Sequence, residues 1–337
     1  MAVHIDPTGT RIVVEGPDGP LPTQGMPLVR LSSPAGATAT IVPDVGFNLF
    51  DWRTPGGLAL LHHESDVLVG GSGTRSGIPV LFPFPNRIAG AEFEWDGRTW
   101  SLPHAHPGDP NAIHGFCAKR PWSDYEASGE SAVTGTFRLS RDAADVAADW
   151  PGDLELRLTY ELGDRGLRLV AEVANVDDHP VPFGLGYHPY FSLLGCHDLA
   201  DVDIQVGADS FWPLHDSIPE GTVSPVTGDR DLRVQEPVGE RVLDDVLTGL
   251  PPFEPGPDGL MRRAVLSGCG ATVDMRYDSA FRDIVVFTPG NRASIAVEPY
   301  TCPTDAVHLQ GAGQDVGWRS LGAGETWRSV VEFVVRH

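Results

Sequence analysis

The sequence predicts an all-β protein, a large antiparallel β-sandwich. Glycine and proline account for 39 and 30 of the 337 residues and are spread along the whole chain, which indicates many turns. Apolar and polar residues alternate with a period of two between these turns, whereas helical periodicity is nearly absent. Many short strands separated by turns are typical of a sandwich. No linker, internal repeat or low-complexity segment interrupts the pattern, so we expect a single domain over residues 1–337.

Two hairpins have the clearest patterns. In the first, Asp96-Gly97 separates two alternating segments within residues 91–102, and Asp-Gly between such segments strongly favours a tight turn. In the second, residues 153–162 and 167–173 alternate on either side of a Gly-Asp-Arg-Gly turn at 163–166. We expect one face of this hairpin to be buried.

The other elements have shorter patterns. In chain order, strands are predicted at residues 11–15, 38–42, 133–139, 203–206, 271–277, 283–288 and 326–335. Residues 141–149 and 243–250 each have room for one or two helical turns.

Charge and hydropathy exclude several classes of partner. The formal net charge of -22 repels nucleic acid and anionic membranes, so neither is expected to bind. No apolar run approaches the roughly 20 residues that span a bilayer. Residues 1–7 lack the basic and apolar regions of a signal peptide, which favours a cytoplasmic location. The four cysteines are far apart without a Cys-x-x-Cys pair, a spacing that fits reduced thiols better than disulfides or a zinc site.

One carboxylate lies at the end of an apolar run. Residues 293–297 lead directly into Glu298, and Pro299 and Pro303 are expected to stop regular structure after it. Burial would raise the pKa of Glu298 toward neutrality, which suits a general base. The alternative is a surface carboxylate at a strand end.

Four other motifs combine polar groups with apolar or glycine-rich surroundings. Asn86 and Arg87 lie in a proline-stiffened apolar run, where the arginine fork could bind hydroxyls or simply tie loops together. His114 precedes a glycine and could be a ligand-binding or a core histidine. His188 is surrounded by aromatic residues and proline, as a general acid could be. Asp244-Asp245 offers two carboxylates, with a solvated turn as the alternative.

The histidine pairs at 62–63 and 104–106 have neither the helical spacing nor the neighbouring carboxylates of a metal site. No phosphate-binding glycine loop and no Gly-x-Ser-x-Gly motif occurs. We therefore expect no metal and no cofactor.

Taken together, the motifs resemble those of the aldose 1-epimerases, or galactose mutarotases, in order and approximate spacing. The resemblance spans about residues 30 to 335 and is carried by Gly77-Ile78-Pro79-Val80-Leu81-Phe82-Pro83, Asn86-Arg87-Ile88, His114-Gly115, His188-Pro189-Tyr190-Phe191, Glu298-Pro299 and Gly322-Ala323-Gly324-Glu325-Thr326-Trp327. Each motif is weak alone, but their shared order makes coincidence improbable.

This resemblance implies a galactose mutarotase-like supersandwich that interconverts the α and β anomers of a free aldose such as galactose or glucose. It implies Glu298 as general base and His188 as general acid. It also implies that Arg87, His114, Asn86 and Asp244 bind the sugar. Asp245 could replace Asp244 under a one-residue shift.

Two alternatives remain beside this reading. One is a hexose-phosphate 1-epimerase, which needs extra cations at the pocket rim, such as Arg75 or Arg120. The other is a sugar-binding protein without turnover, although a pure binder needs no acid-base pair. The expected partner in each case is a small sugar, and the expected assembly is a monomer or homodimer.

Overall fold

The computed structural model describes residues 14–16, 19–21, 26–65 and 73–336. Within these ranges the chain is built mainly of strands. The first ten are β1 (Val14–Gly16), β2 (Gly19–Leu21), β3 (Val29–Ser32), β4 (Thr38–Val42), β5 (Asn48–Arg53), β6 (Val80–Leu81), β7 (Arg87–Ile88), β8 (Glu92–Trp95), β9 (Arg98–Ser101) and β10 (Ala112–Ile113). The next ten are β11 (Asp124–Ser128), β12 (Ala132–Arg138), β13 (Leu154–Gly163), β14 (Gly166–Asn175), β15 (Val181–Phe183), β16 (Gly186–Tyr187), β17 (Tyr190–Phe191), β18 (Asp203–Val206), β19 (Ser210–Trp212) and β20 (Leu214–His215).

The last strands and the helices complete the described chain. The strands are β21 (Ile218–Pro219), β22 (Ser224–Pro225), β23 (Glu236–Pro237), β24 (Asp244–Thr248), β25 (Met261–Ser267), β26 (Thr272–Tyr277), β27 (Asp283–Phe287), β28 (Ile295–Tyr300), β29 (Arg319–Leu321) and β30 (Thr326–Arg336). The α-helices are α1 (Leu139–Asp142) and α2 (Ala306–Gly311), and single 3-10 turns lie at Gly73–Arg75, Ala89–Ala91, Ala147–Asp149, Leu199–Asp201 and Gly228–Arg230. No helix in the described ranges is long and apolar enough to cross a membrane.

Two large antiparallel sheets organise the fold. The nine-stranded sheet has the order β11-β12-β13-β14-β30-β26-β25-β18-β23. The eight-stranded sheet has the order β22-β19-β24-β27-β28-β16-β6, and β17 pairs with β28 beside this path. Smaller sheets, including β3-β4-β5 and the pair β7-β10, surround them.

The two large sheets share one apolar core. Leu169 and Phe333 of the nine-stranded sheet belong to the same buried cluster as Val286, Val297 and Phe191 of the eight-stranded sheet. The rings of Phe191 and Phe333 meet edge to face with centroids 5.5 Å apart. This packing confirms the predicted all-β sandwich, in which the inner faces of two sheets form the core.

The strands predicted from local alternation are present within the described residues. The two hairpins are β8-β9 and β13-β14, and they turn at the predicted residues. Asp96 and Gly97 both have positive φ, as the expected tight turn requires. Strand β1 covers the end of the strand predicted at residues 11–15, and residues 11–13 lie outside the described part of the chain.

The helical prediction for residues 243–250 is wrong, because this segment forms β24. Val246 and Leu247 are both buried, each in a different apolar cluster on opposite faces of the sheet. A strand buried on both faces loses the alternation that identifies a strand in sequence. The segment 141–149 does carry short helical turns, in α1 and at Ala147–Asp149.

The expectation of four reduced thiols is also wrong. Cys196 and Cys269 form a disulfide, with their Cα atoms 4.9 Å apart. Cys117 and Cys302 are free and buried. Sequence spacing carried no sign of this pairing, because the two bonded cysteines are 73 positions apart in the sequence.

Candidate active site

Strand β28 presents a carboxylate on the face opposite the sandwich core. Ile295 and Val297 point into the shared core, so the period of two directs Ala296, Glu298 and Tyr300 to the other face. The prediction that Pro299 ends the regular structure is wrong, because the strand continues to Tyr300.

A gap in the sheet explains how β28 accommodates this proline and forms the site. Gly186 pairs with Tyr300, and Tyr190 pairs with Ala296, in a single antiparallel register. Between these two pairs, the segment from β16 to β17 does not pair with β28, so Pro299 has no ladder partner on that side. Continuing the register across the gap places His188 opposite Glu298.

The two predicted catalytic residues are in contact across that gap. His188 Nε2 lies 3.3 Å from Glu298 Oε1. Glu298 is 1% exposed and His188 is 7% exposed. The fold thus brings a carboxyl group and an imidazole together at one buried position on the sheet.

Glu298 is held by a second group that the sequence analysis did not identify. The Tyr300 hydroxyl donates a 2.6 Å hydrogen bond to Glu298 Oε2. Burial raises the pKa of Glu298 well above its ordinary value, and the Tyr300 hydrogen bond opposes that rise. The signal was present in the spacing, since residues two apart on a strand share a face.

His188 is fixed by its aromatic neighbours. Its ring stacks on Tyr190 with centroids 4.4 Å apart, and the Tyr190 hydroxyl lies 3.3 Å from Nε2. Its backbone N–H donates to the carbonyl of Pro79 at 3.0 Å. Burial lowers the pKa of His188 to about 3.

The two pKa shifts favour the neutral form of each group. A carboxylate and an imidazolium in contact stabilise each other's charged forms, whereas burial favours the neutral forms. Burial has the larger effect in the free cavity, where it favours a protonated Glu298 beside a neutral His188. The neutral pair and the ion pair contain the same number of protons and differ by one transfer between Oε1 and Nε2.

Three of the predicted sugar-binding residues, Asn86, Arg87 and His114, lie on or beside the strand pair β7-β10. Strands β7 and β10 pair antiparallel, with Arg87 opposite Ile113. The backbone N–H of His114 donates to the carbonyl of Asn86 at 2.7 Å, and Arg87 Nη1 donates to Asn86 Oδ1 at 3.1 Å. Two motifs that are 27 positions apart in sequence, at 87 and 114, are therefore adjacent in space.

The close approach at Gly115 keeps this strand pair against β6 and its continuation. Gly115 has a φ of +63°, and a Cβ there would lie 2.2 Å from the carbonyl oxygen of Phe82. No side chain fits that space, so the glycine after His114 has a steric reason. Burial lowers the pKa of His114 well below its usual range, with the His188 and Arg87 charges adding to the shift.

The structure distinguishes Asp244 from Asp245, either of which could be the sugar-binding aspartate on sequence grounds. Asp244 faces the cavity, and desolvation there raises its pKa while Arg87 opposes the rise. Asp245 points to the opposite face of β24, where its Oδ1 accepts a 2.5 Å bond from Arg230 Nε. Their consecutive positions on a strand require these opposite directions.

All six predicted site residues line one cavity of about 760 Å3. They are Asn86, Arg87, His114, His188, Asp244 and Glu298. Tyr300 and Lys119, which the sequence analysis did not identify, also line this cavity, and so does Arg75, which was considered as a rim cation. Among the aromatic side chains, Tyr190 also lines the cavity.

A cluster of three potential metal ligands lies outside this cavity. Among the described residues, ligand atoms of Asp177, Asp178 and His179 lie within 4.8 Å of one another at the surface. His179 already hydrogen-bonds Asp178 and the carbonyl of Pro151, so its two ring nitrogens are engaged.

Comparison with known proteins identifies similar sequences and folds. Residues 27–334 match a family model described as aldose 1-epimerase. The chain is 25% identical over 232 residues to the protein YihR of Escherichia coli K12, covering 67% of this chain and 70% of that one. It is 30% identical over 145 residues to the maltose epimerase of Levilactobacillus brevis, covering 42% of each.

A solved structure shows the same fold. The galactose mutarotase-like protein of Clostridium acetobutylicum superposes with a TM-score of 0.81 at 21% identity. The match covers 94% of this chain and 97% of that protein.

Proposed function

The chain belongs to the aldose 1-epimerase family, and we propose that it interconverts the α and β anomers of a free aldose such as galactose or glucose. Family membership makes the protein an isomerase. The contact between His188 Nε2 and Glu298 Oε1 in a cavity that can hold a sugar is the observation that carries the proposal.

The pair can open and close a sugar ring without net loss of protons. When the shared proton lies on His188, the Glu298 carboxylate removes the proton of the anomeric hydroxyl. The His188 imidazolium donates a proton to the ring oxygen, and the bond between that oxygen and the anomeric carbon breaks. The open aldehyde turns its other carbonyl face, and the same transfers in reverse close the opposite anomer.

The other cavity residues supply binding and orientation. Arg87 and Asn86 offer donors in a fixed arrangement, and Asp244 offers acceptor oxygens to sugar hydroxyls. The Nδ1 atoms of His114 and His188 are buried without a hydrogen-bond partner among the described residues. Both histidines line the cavity, and a polyol bound there offers hydroxyl groups as hydrogen-bond partners, which supports a hydroxyl-rich ligand.

Polarimetry tests the proposal. Freshly dissolved α-galactose and α-glucose should reach their equilibrium rotation faster with the protein, and Glu298→Gln should reduce this acceleration about 100- to 10,000-fold because the general base is lost. Glu155→Gln is the matched control, since Glu155 lies on β13 in the other sheet. Full acceleration in Glu298→Gln would sink the proposed mechanism, and saturable sugar binding without any acceleration would identify a binding protein.

A hexose phosphate is the second candidate substrate, favoured by two cations. Arg75 and Lys119 line the cavity, and within the described residues neither side chain forms an ion pair or hydrogen bond. Lys119 is also the only lysine of a chain with net charge -22. Inhibition of galactose mutarotation by inorganic phosphate, lost in Lys119→Met, would support this candidate, and insensitivity to phosphate would remove it.

A further inference from the structure

Asp305 lies outside the cavity but is hydrogen-bonded to the strand that carries Arg87. Its backbone N–H donates to the carbonyl of Arg87 at 2.8 Å, and its Oδ1 accepts the backbone N–H of Ala89 at 2.9 Å. Arg87 and Glu298 line the cavity, whereas Asp305 does not. Any effect of Asp305 on a bound sugar must therefore pass through another residue.

These two bonds take the place of a neighbouring strand beside β7. Strand β7 has two residues and pairs with β10 along one edge. The carbonyl of Asn86 points to that edge and accepts from His114, so the carbonyl of Arg87 and the N–H of Ala89 point to the other edge. A two-stranded ladder is marginally stable by itself. Asp305 supplies a donor and an acceptor to the second edge, as a third strand would.

Asp305 is itself held in an uncommon backbone conformation. Its φ is +58°, a value that aspartate adopts more readily than most residues. His308 Nδ1 lies 2.7 Å from Asp305 Oδ1, and the backbone N–H groups of His308 and Leu309 donate to the carbonyl of Asp305. Such a conformation persists where the surrounding contacts fix it. The carboxyl oxygen is therefore presented to β7 in one direction.

A buried segment connects Asp305 to the strand of the proposed base. Every residue from Glu298 to Asp305 is buried. Within this segment, the N–H of Thr301 donates to the carbonyl of Leu185, and the N–H of Leu185 donates to Thr301 Oγ1, both at 2.9 Å. The main chain of Arg87 is thus tied, through Asp305, to the segment that begins at Glu298.

We propose that Asp305 is a positioning residue that fixes Arg87 relative to Glu298 for sugar binding. The inference rests on the proposed epimerase function, in which Arg87 binds sugar hydroxyls. Without the Asp305 carboxyl, β7 loses one of the two bonds on its second edge, and the Arg87 guanidinium is less well placed. The sugar then binds more weakly, while Glu298 and His188 keep their own contacts.

Two substitutions separate the side chain of Asp305 from its backbone. Glycine readily adopts a positive φ, so Asp305→Gly keeps the backbone bond to Arg87 and removes only the carboxyl. Asp305→Asn tolerates the same conformation and retains an acceptor oxygen for Ala89. In polarimetric kinetics, Asp305→Gly should raise KM about tenfold with kcat changed less than about threefold, whereas Asp305→Asn should keep KM within about threefold of the unmodified protein.

A double-mutant cycle tests whether the effect passes through Arg87. Arg87→Met removes the guanidinium and should raise KM by itself. Adding Asp305→Gly to Arg87→Met should then raise KM less than about twofold further, because the group that Asp305 positions is already absent. Asp278→Gly is the matched control. Its carboxyl accepts the backbone N–H groups of Ala280 and Val330 away from the cavity, so this change should lower the melting temperature and leave KM unchanged.

A second variant breaks the same bond from the other side. Ala89 is the first residue of a 3-10 turn and follows Ile88, whose backbone is extended, so proline is tolerated there. Ala89→Pro removes the N–H that donates to Asp305 and should raise KM about as much as Asp305→Gly. It decides the question if Asp305→Gly does not fold, as judged by its thermal melt.

The outcomes separate this inference from the function beneath it. No acceleration of mutarotation by the unmodified protein would overturn both. With an active unmodified protein, an unchanged KM in folded Asp305→Gly or in Ala89→Pro would overturn the positioning role and leave the epimerase proposal standing. So would an unchanged KM in Arg87→Met, or a further loss of about tenfold when Asp305→Gly is added to it.

Discussion

At the scale of single residues, the orientation of Glu298 depends on Tyr300. The carboxyl is buried, one oxygen faces His188, and the other accepts the Tyr300 hydroxyl. Tyr300 is buried and reaches Glu298 by the hydrogen bond described, so we interpret it as a positioning residue for the base. A donor on one carboxyl oxygen stabilises the charged form and limits rotation of the group.

Tyr300→Phe should therefore change both rate and pH dependence. Loss of a hydrogen bond to a charged group costs about 1.5–3 kcal/mol, which corresponds to roughly a 10- to 100-fold lower kcat. Since that bond lowers the pKa of Glu298, its loss raises the pKa further. The alkaline limb of kcat/KM, where the pair loses its proton, should move up by about one pH unit.

Polarimetric rates across about pH 5 to 10 measure this shift. Tyr277→Phe is the matched control, because Tyr277 is buried in the core and its hydroxyl has no hydrogen-bond partner among the described residues. An alkaline limb that stays in place or moves to lower pH in Tyr300→Phe would show that Tyr300 serves packing alone.

At the scale of elements, strand β24 directs two neighbouring aspartates to opposite faces of the sheet, where their contacts differ. Asp244 faces the cavity and Asp245 pairs with Arg230 on the other face. Asp244→Asn should lower kcat/KM about tenfold without changing the melting temperature, since it weakens one charged contact to the sugar. Asp245→Asn should keep the rate and lower the free energy of unfolding by about 1 kcal/mol, because Arg230 is half exposed and solvent screens the pair.

Polarimetric kinetics and thermal unfolding, measured in parallel on the two variants, test these different roles of Asp244 and Asp245. The two substitutions serve as controls for each other, being adjacent and chemically identical. A reversal, with activity lost in Asp245→Asn and kept in Asp244→Asn, would contradict the assignment.

The same elements show what sequence reasoning can and cannot reach. Regular alternation predicted β13 and β14, and Asp96-Gly97 predicted the β8-β9 turn. The prediction for β24 was wrong because both faces of this strand are buried. The prediction ended β28 too early because Pro299 occupies a gap in the ladder, where a proline is tolerated. That gap depends on where β16 and β17 pair, which a linear pattern does not contain. It is also the feature that places His188 opposite Glu298.

At the scale of the whole molecule, long-range pairings determine the architecture. Strand β14 pairs with β30, joining Gly166 to Val334. The cysteine pairing is another such contact, since the disulfide joins the chain after β17 to the turn between β25 and β26. Residues 186–191 carry His188 and lead directly to Cys196, so the bond anchors the segment that carries the proposed general acid.

Removal of this disulfide should destabilise the fold more than it impairs the site. Closing a loop over a sequence separation of 73 residues restricts the unfolded chain and contributes about 4 kcal/mol. The double variant Cys196→Ser, Cys269→Ser should lose about that free energy in denaturant unfolding, while kcat/KM at 25 °C stays within about twofold, because the backbone bond of His188 to Pro79 and its stacking on Tyr190 persist. Dithiothreitol should reproduce the loss in the unmodified protein and have no further effect on the double variant. Equal stability of the oxidised and reduced protein would contradict the constraint, and a large loss of activity at 25 °C would mean that the bond holds His188 in place directly.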